Sequence, residues 1–293
     1  MARKLYQPLH FNHGYNFVFF LVTAGAMLGF SLSRLMYLDI DGTFCKSGSK
    51  TGAAPGECYY YSGRGGSRYR IGIILHLAAI LPAGLLVGFQ FVPVIRHKAL
   101  LFHRISGYTI MILSLTSMAG AFMVTDKAFG GELLSQTVTG LAAVMFLVSL
   151  LLAYLNIKRL QIEQHRAWML RAWSYAASVI TLRIILQIPG NIISRNGFYT
   201  TRLCKQIDYI FGGIENYTMT LYPACEAFYT GKNLDQRVAV AANANSNDPV
   251  EVTASIGMTF GMAFLVALAL HAILIEAYNG CALFLFNGKP RPA

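Results

Sequence analysis

Residues 71–94 read IGIILHLAAILPAGLLVGFQFVPV and contain no Asp, Glu, Lys or Arg. About 20 mostly apolar residues in a helix span the hydrocarbon core of a bilayer, which is roughly 30 Å thick. Water is absent from that core, so the backbone must satisfy its own hydrogen bonds, and an α-helix does this within one segment. The stretch therefore predicts a membrane-spanning helix.

Five further stretches are also long and mostly apolar, although two of them contain arginine: Arg34 in the first, and Arg171 and Arg183 in the fifth helix of the chain. They cover residues 15–38, 105–125, 133–157, 167–189 and 252–275. The whole chain is 55% hydrophobic and 13% charged, whereas soluble proteins carry about 25% charged residues. This composition excludes a soluble or disordered protein and a nucleic-acid-binding tail. We expect an all-α integral membrane protein, with one six-transmembrane-helix bundle formed by residues 1–293.

The connections between these helices predict the topology. Residues 96–104 (RHKALLFHR) and 158–166 (KRLQIEQHR) are densely basic, whereas residues 126–132 (DKAFGGE) hold one Lys and two acids. Basic loops stay in the cytosol, so both termini are expected there. We expect an endomembrane protein, with the endoplasmic reticulum as its compartment.

Four of the five cysteines fall on the opposite, lumenal face of this topology, and Cys281 is expected in the cytosol. Cys45 and Cys58 share the loop 39–70, and Cys204 and Cys225 share the loop 191–251. Two same-loop pairs suit two disulfides in an oxidising lumen. The fold prediction is therefore a helix bundle with a small, disulfide-stapled lumenal cap.

Two other features lie in the second lumenal loop. Asn216, Tyr217 and Thr218 form a glycosylation sequon, which agrees with a lumenal position. Residues 238–251 (VAVAANANSNDPVE) are polar towards their end, and we expect this stretch to be mobile.

Ionisable side chains at membrane depth are costly, so each is a functional hypothesis. His103, His165 and His271 lie on three helices near the cytosolic side. Neutral imidazole commonly binds haem iron and other metals, and it also exchanges protons near neutral pH. These three histidines are therefore candidate catalytic residues and candidate ligands of haem b or of a metal ion.

Glu276 offers a different chemistry at the same side. Membrane terpene cyclases protonate an alkene or epoxide, which requires a carboxylic acid or another positioned acid. Glu276 follows His271 on the last helix and is the best-placed carboxyl group, although it is also an ordinary helix-end residue.

A third set of residues would contact a substrate. His165 and Arg183 are 18 positions apart, which is five turns on one helix face. The face is polar at its ends and apolar or aromatic between them, which suits a cavity for a long lipophilic molecule or ordinary helix packing. The candidate substrate-binding residues are His76, Arg166, Arg171, Arg183, Trp168 and Tyr175.

Several of these segments form a combination of motifs. They are LHLAAILPAGLLVGFQFVPVIRHK (75–98), HRISGY (103–108), NIKRLQIEQHRAWMLRAW (156–173) and TLR (181–183). Over roughly residues 71–186 the chain resembles the membrane protein family catalogued as domain of unknown function 2306, in its filamentous-fungal form. The resemblance implies a multi-helix membrane bundle in which His76, His103, His165 and Arg183 match the family pattern, and it implies no particular reaction.

Three functional hypotheses remain open. The first is a membrane enzyme of the oxidoreductase type that acts on a lipophilic small molecule in a pocket lined by His and Arg, with a His-ligated metal or haem. The second is a non-redox cyclase or isomerase that uses Glu276 or a protonated His as the acid. The third is a protein that binds or transports lipid without catalysis. Membrane lipid and a lipophilic small molecule are the expected partners.

Overall fold

The computed structural model describes residues 7–11, 14–46, 52–64 and 66–287, with side chains as far as Gly280. The chain divides into two compact units, an N-terminal unit (Met1–Asp126) and a C-terminal unit (Lys127–Ala293). In the described ranges six helical segments are long and apolar enough to cross a membrane: Gly14–Leu38, Ser67–Gln90, Leu100–Val124, Leu133–Lys158, Ile162–Arg195 and Pro249–Gly280. The predicted all-α fold with six membrane-spanning helices is confirmed, because every predicted stretch lies within or largely overlaps one of these segments.

The N-terminal unit is built from three long helices and two short ones. They are α1 (Gly14–Arg34), α2 (Cys58–Tyr61), α3 (Ser67–Gln90), α4 (Pro93–Lys98) and α5 (Leu100–Val124). Helix α3 packs against both α1 and α5. Pro93 starts α4, where its missing N–H has no helical partner to lose.

Small residues let α3 and α5 approach closely. A Cβ atom added to Gly120 of α5 would lie 2.5 Å from the carbonyl oxygen of Gly72 and 2.6 Å from the amide nitrogen of His76, both on α3. Ser114 and Ser117 continue the same buried face of α5. Helices in lipid associate through such small residues, since apolar burial alone does not distinguish a neighbouring helix from a lipid tail.

A disulfide and an ion pair close the segment between α1 and α3. Cys45 and Cys58 are bonded, with their Cα atoms 5.5 Å apart. Both carboxylate oxygens of Asp41 accept hydrogen bonds from the Arg70 guanidinium at 2.8 Å. The hydrogen bond from Arg70 holds the pKa of the Asp41 carboxyl below its usual value. The predicted first disulfide is present.

The C-terminal unit has three long helices that pack pairwise. They are α6 (Leu133–Lys158), α7 (Ile162–Ile185) and α12 (Pro249–Asn287), and α7 is followed at once by α8 (Gln187–Arg195). The core of this unit includes Leu182 from α7 and Phe260 and Phe264 from α12. Helix α7 begins five residues before the predicted stretch, because its first turn (IEQHR) is mostly polar and carries little hydropathy signal, and α12 extends twelve residues beyond its predicted stretch.

The polypeptide between α8 and α12 forms a folded cap, which we call the C-terminal cap (residues 196–248). Its elements are β1 (Tyr199–Leu203), α9 (Cys204–Ile210), α10 (Glu215–Leu221), α11 (Glu226–Tyr229) and β2 (Arg237–Ala241). Strands β1 and β2 pair antiparallel, and Cys204 is disulfide-bonded to Cys225. Val238 and Val240 of β2 are buried in the cap core, so the start of the stretch expected to be mobile is a strand.

Tyrosine–aspartate hydrogen bonds tie the cap together. The hydroxyl of Tyr229 donates to Asp208 at 2.6 Å, and that of Tyr222 donates to Asp248 at 2.6 Å. Burial, together with the hydrogen bond to Asp208, raises the pKa of Tyr229 to about 12. Burial likewise raises the pKa of Tyr222.

The contact between Gly120 and α3 generates a stability prediction. Gly120→Ala places a methyl group against backbone atoms of Gly72 and His76, so α3 and α5 must move apart. We expect the free energy of unfolding to fall by about 1–3 kcal/mol. Gly25→Ala in α1 is the matched control, because nothing lies within 4 Å of its added Cβ. Denaturant unfolding in detergent measures both variants, and equal losses would contradict the assigned close contact.

Candidate functional site

An ion pair joins α7 and α12 in the C-terminal unit. Arg171 donates from Nε to Glu276 Oε1 at 2.5 Å and from Nη2 to Oε2 at 2.7 Å. The guanidinium carbon also lies 4.5 Å from the centroid of the Trp168 ring. A planar guanidinium can pair with a carboxylate at two points and stack on an aromatic ring simultaneously. Three of the predicted site residues, Trp168, Arg171 and Glu276, are thus brought together.

His271 lies about one turn away on α12, and both of its ring nitrogens have partners on α7. Nδ1 is 2.8 Å from the carbonyl oxygen of Ser174, and Nε2 is 2.7 Å from Oγ1 of Thr181. A carbonyl oxygen only accepts, so Nδ1 carries the hydrogen and Nε2 of the neutral ring accepts from Thr181. We call the six residues of this contact the α7–α12 seam: Trp168, Arg171, Ser174, Thr181, His271 and Glu276.

His165 is fixed by the neighbouring helix α6. Its Nδ1 is 2.9 Å from the carbonyl oxygen of Ala153, to which it donates. Among the residues that the structure describes, no hydrogen bond involves Nε2 of His165. An imidazole that donates Nδ1–H to a carbonyl presents the Nε2 lone pair in a fixed direction, which is the usual arrangement of a histidine that ligates a metal.

His76 has the same arrangement in the N-terminal unit. Its Nδ1 lies 3.1 Å from the carbonyl oxygen and 2.9 Å from Oγ of Ser117 on α5. The close contact at Gly120, one turn along α5, brings the imidazole onto that carbonyl. His76 is therefore anchored by α5.

The remaining predicted residues occupy separate places. His103 lies in the first turns of α5 in the N-terminal unit, and Arg166 is 3.7 Å from Glu163 on its own helix. Tyr175 is buried in the core of the C-terminal unit. Arg183 is exposed, with its guanidinium carbon 5.4 Å from the Phe129 ring centroid.

Two members of the predicted three-histidine set, His165 and His271, lie in the C-terminal unit, and their rings contact different neighbouring helices. Within the described ranges no group of three or more His, Cys, Asp or Glu side chains could hold a metal ion. His271 already uses both ring nitrogens within the seam, so it has no lone pair to offer a metal that His103 and His165 would share. Within the C-terminal unit, His165 therefore contacts α6 and His271 contacts α7.

A second buried charge was not predicted from the sequence. Arg202 of β1 is 5% exposed and donates to Glu132 at 3.2 Å and to the backbone carbonyls of Thr253 and Ala254 at 3.4 Å. A Cβ atom on Gly130 or Gly257 would collide with this guanidinium, so the two glycines make room for it. This cluster fastens β1 to the start of α12 and has a structural role.

Sequence reasoning also missed Ser174, Thr181, Ser117 and the carbonyl of Ala153. A lone Ser or Thr in an apolar helix usually bonds to the carbonyl four residues earlier, as Thr125 does to Ala121 and Ser149 to Met145. The one available signal is a shared helix face, because Ser174 lies three residues after Arg171 and Thr181 lies seven residues after Ser174.

Six membrane-length helices and two disulfide-bonded segments define a polytopic integral membrane protein. The model of the family described as "Predicted membrane protein (DUF2306)" matches residues 73–203, which confirms the resemblance seen in the sequence. The Ava biosynthesis cluster protein G of Aspergillus versicolor is 24% identical over 299 residues, covering 88% of this chain and 86% of that protein. No solved structure matches the chain.

The Arg171–Glu276 pair generates a second stability prediction. Glu276→Gln leaves the Arg171 guanidinium, whose side chain is 17% exposed, without a carboxylate, and we expect a loss of about 1–2 kcal/mol of unfolding free energy. Glu163→Gln is the matched control, because that carboxylate is 78% exposed and 3.7 Å from Arg166. Thermal unfolding in detergent compares them; a Glu276→Gln protein as stable as the control would contradict the assignment.

Proposed function

We propose that the protein is a membrane enzyme that transforms a lipophilic small molecule, with His165 as the ligand of a haem or metal ion. The observation that carries the proposal is the geometry of His165, whose Nδ1–H is held by the Ala153 carbonyl while Nε2 is left to face a ligand. The relative from a biosynthesis cluster supports a role in small-molecule metabolism.

A bound haem or metal would supply electron-transfer or oxygen chemistry that protein side chains lack. The chain's own contribution is orientation. The Ala153 carbonyl fixes the tautomer and direction of the His165 ring. A single histidine can hold a haem iron, so the haem form of the proposal does not require the three-histidine set.

The visible spectrum of the detergent-purified protein tests this proposal. We expect a Soret band that shifts when dithionite is added, and His165→Ala should lose most of it because the nitrogen that would hold the iron is removed. His97→Ala is the matched control, since His97 is an exposed histidine of α4, and it should keep the band.

Two results would overturn the proposal. One is a wild-type protein with neither a Soret band nor a stoichiometric metal by elemental analysis. The other is a folded His165→Ala protein that keeps its full band or metal content. Circular dichroism and gel filtration establish that each variant is folded.

A second candidate function rests on the α7–α12 seam. We propose it as acid–base chemistry without a metal, of the cyclase or isomerase kind. Thr181, His271 and the Ser174 carbonyl form a hydroxyl–imidazole–acceptor chain, in which the carbonyl holds Nδ1–H and would stabilise the charged ring once Nε2 takes a proton. Glu276 is a less suitable acid than His271, because its two hydrogen bonds from Arg171 favour the ionised carboxylate, which has no proton to donate.

Complementation of a deletion strain distinguishes the two candidates. If the seam is the working site, His271→Gln should lower product formation by about 10²–10⁴-fold, whereas Thr181→Ser keeps the hydroxyl and should retain product formation. The purified protein should carry no chromophore. Product levels are read by mass spectrometry of lipophilic extracts, with His97→Ala as the control. Unchanged products with His271→Gln would exclude the seam, and unchanged products on deletion itself would favour lipid binding or transport.

A further inference from the structure

The sequon of the C-terminal cap lies on an exposed helix. Asn216 is in the first turn of α10, and its side chain is exposed. Thr218, which completes the sequon, is fully buried with 0% exposure. The two residues that a glycosyl transferase must read together are therefore separated by the fold, with one at the surface and the other in the interior.

The same segment carries evidence about its compartment. Asn216 lies inside the loop closed by the Cys204–Cys225 disulfide. Disulfides form and persist in oxidising compartments such as the lumen of the endoplasmic reticulum, which is also where asparagine glycans are attached. A cysteine pair and a sequon in one loop point to the same side of the membrane.

We propose that Asn216 carries an N-linked glycan and that the glycan is attached before the Cys204–Cys225 loop closes. In this step the side-chain nitrogen of Asn216 forms a bond to the anomeric carbon of a lipid-linked oligosaccharide. The bond from that carbon to the lipid pyrophosphate breaks, the pyrophosphate leaves with the electron pair, and the amide loses one proton. The co-reactant is therefore a polyprenyl pyrophosphate-linked sugar.

The order of events follows from Thr218. The transferase recognises the hydroxyl two residues after the asparagine, and in the folded cap this hydroxyl is inaccessible. The backbone is also fixed in a helix, because the amide of Thr218 donates to the carbonyl of Ile214 and its carbonyl accepts from Tyr222. Only the unfolded loop offers Asn216 and Thr218 to one active site.

A glycan at this position has a physical consequence for the cap. Ile214, Tyr217 and Leu221 are exposed at helical spacings of three and four residues around Asn216. A bulky, hydrated sugar beside these side chains reduces the apolar surface presented to water. The unmodified cap is therefore expected to be the more aggregation-prone form.

Gel mobility in a eukaryotic host tests the site. The full-length protein should shift by one step on treatment with peptide N-glycosidase, and Asn216→Gln should run at the shifted position without treatment. Thr220→Ala is the matched control, since it lies on the same helix outside the sequon, and it should keep the glycan. A wild-type protein that does not shift, or an Asn216→Gln protein that still shifts, overturns the proposal.

The order of modification and disulfide closure is tested in a Thr218→Ser background, where serine keeps the sequon but lowers its use. Adding Cys204→Ser and Cys225→Ser should raise the glycosylated fraction, because the loop stays open for longer. Cys45→Ser with Cys58→Ser is the control, as it removes the other disulfide and should leave the fraction unchanged. Equal fractions in all three proteins overturn the order, whereas the site is decided separately by Asn216→Gln.

Discussion

Three histidines of the membrane-length helices have hydrogen bonds to a neighbouring helix, and in each case Nδ1 contacts a backbone carbonyl. His76 contacts the carbonyl of Ser117, His165 that of Ala153, and His271 that of Ser174. A polar group in a hydrocarbon core finds no water, and leaving it unsatisfied costs several kcal/mol, so it must find a protein partner. A helix carbonyl has a second lone pair beyond the one used by its own helix and is always present on a neighbouring helix. This constraint fixes both the helix pairs and the tautomers of the histidines.

Hydropathy was sufficient to predict the six membrane-length helices, because it depends on composition over many residues. Once the helices were placed, the two loops that each hold two cysteines predicted the two disulfides. The partners of the histidines were not predictable in the same way. A carbonyl acceptor such as that of Ala153 belongs to every residue type and so leaves no mark in the sequence. Thr181 resembles any hydroxyl residue of an apolar helix, and only its distance of 2.7 Å from His271 distinguishes it.

Depth in the membrane is only part of the information that is needed to predict a site formed by several histidines. His103, His165 and His271 were grouped because they lie at comparable distances from the cytosolic ends of their helices. Depth is one coordinate, whereas a binding site also requires the rotation of each helix about its axis. The rotation of α7 points His165 at α6, and the rotation of α12 points His271 at α7. Within the C-terminal unit the two rings are therefore committed to different neighbours.

Glu276 and His271 compete for the same chemical role, and their surroundings separate them. The carboxylate of Glu276 is neutralised by a two-point contact with Arg171, whose guanidinium in turn stacks on Trp168. Protonation of that carboxylate removes its negative charge and weakens the two-point contact. The His271 ring gains and loses a proton at Nε2 while its bond to the Ser174 carbonyl is kept. A site that exchanges protons needs a group that keeps its positioning hydrogen bond in both protonation states. Of the two titratable groups, His271 and Glu276, the imidazole meets that condition.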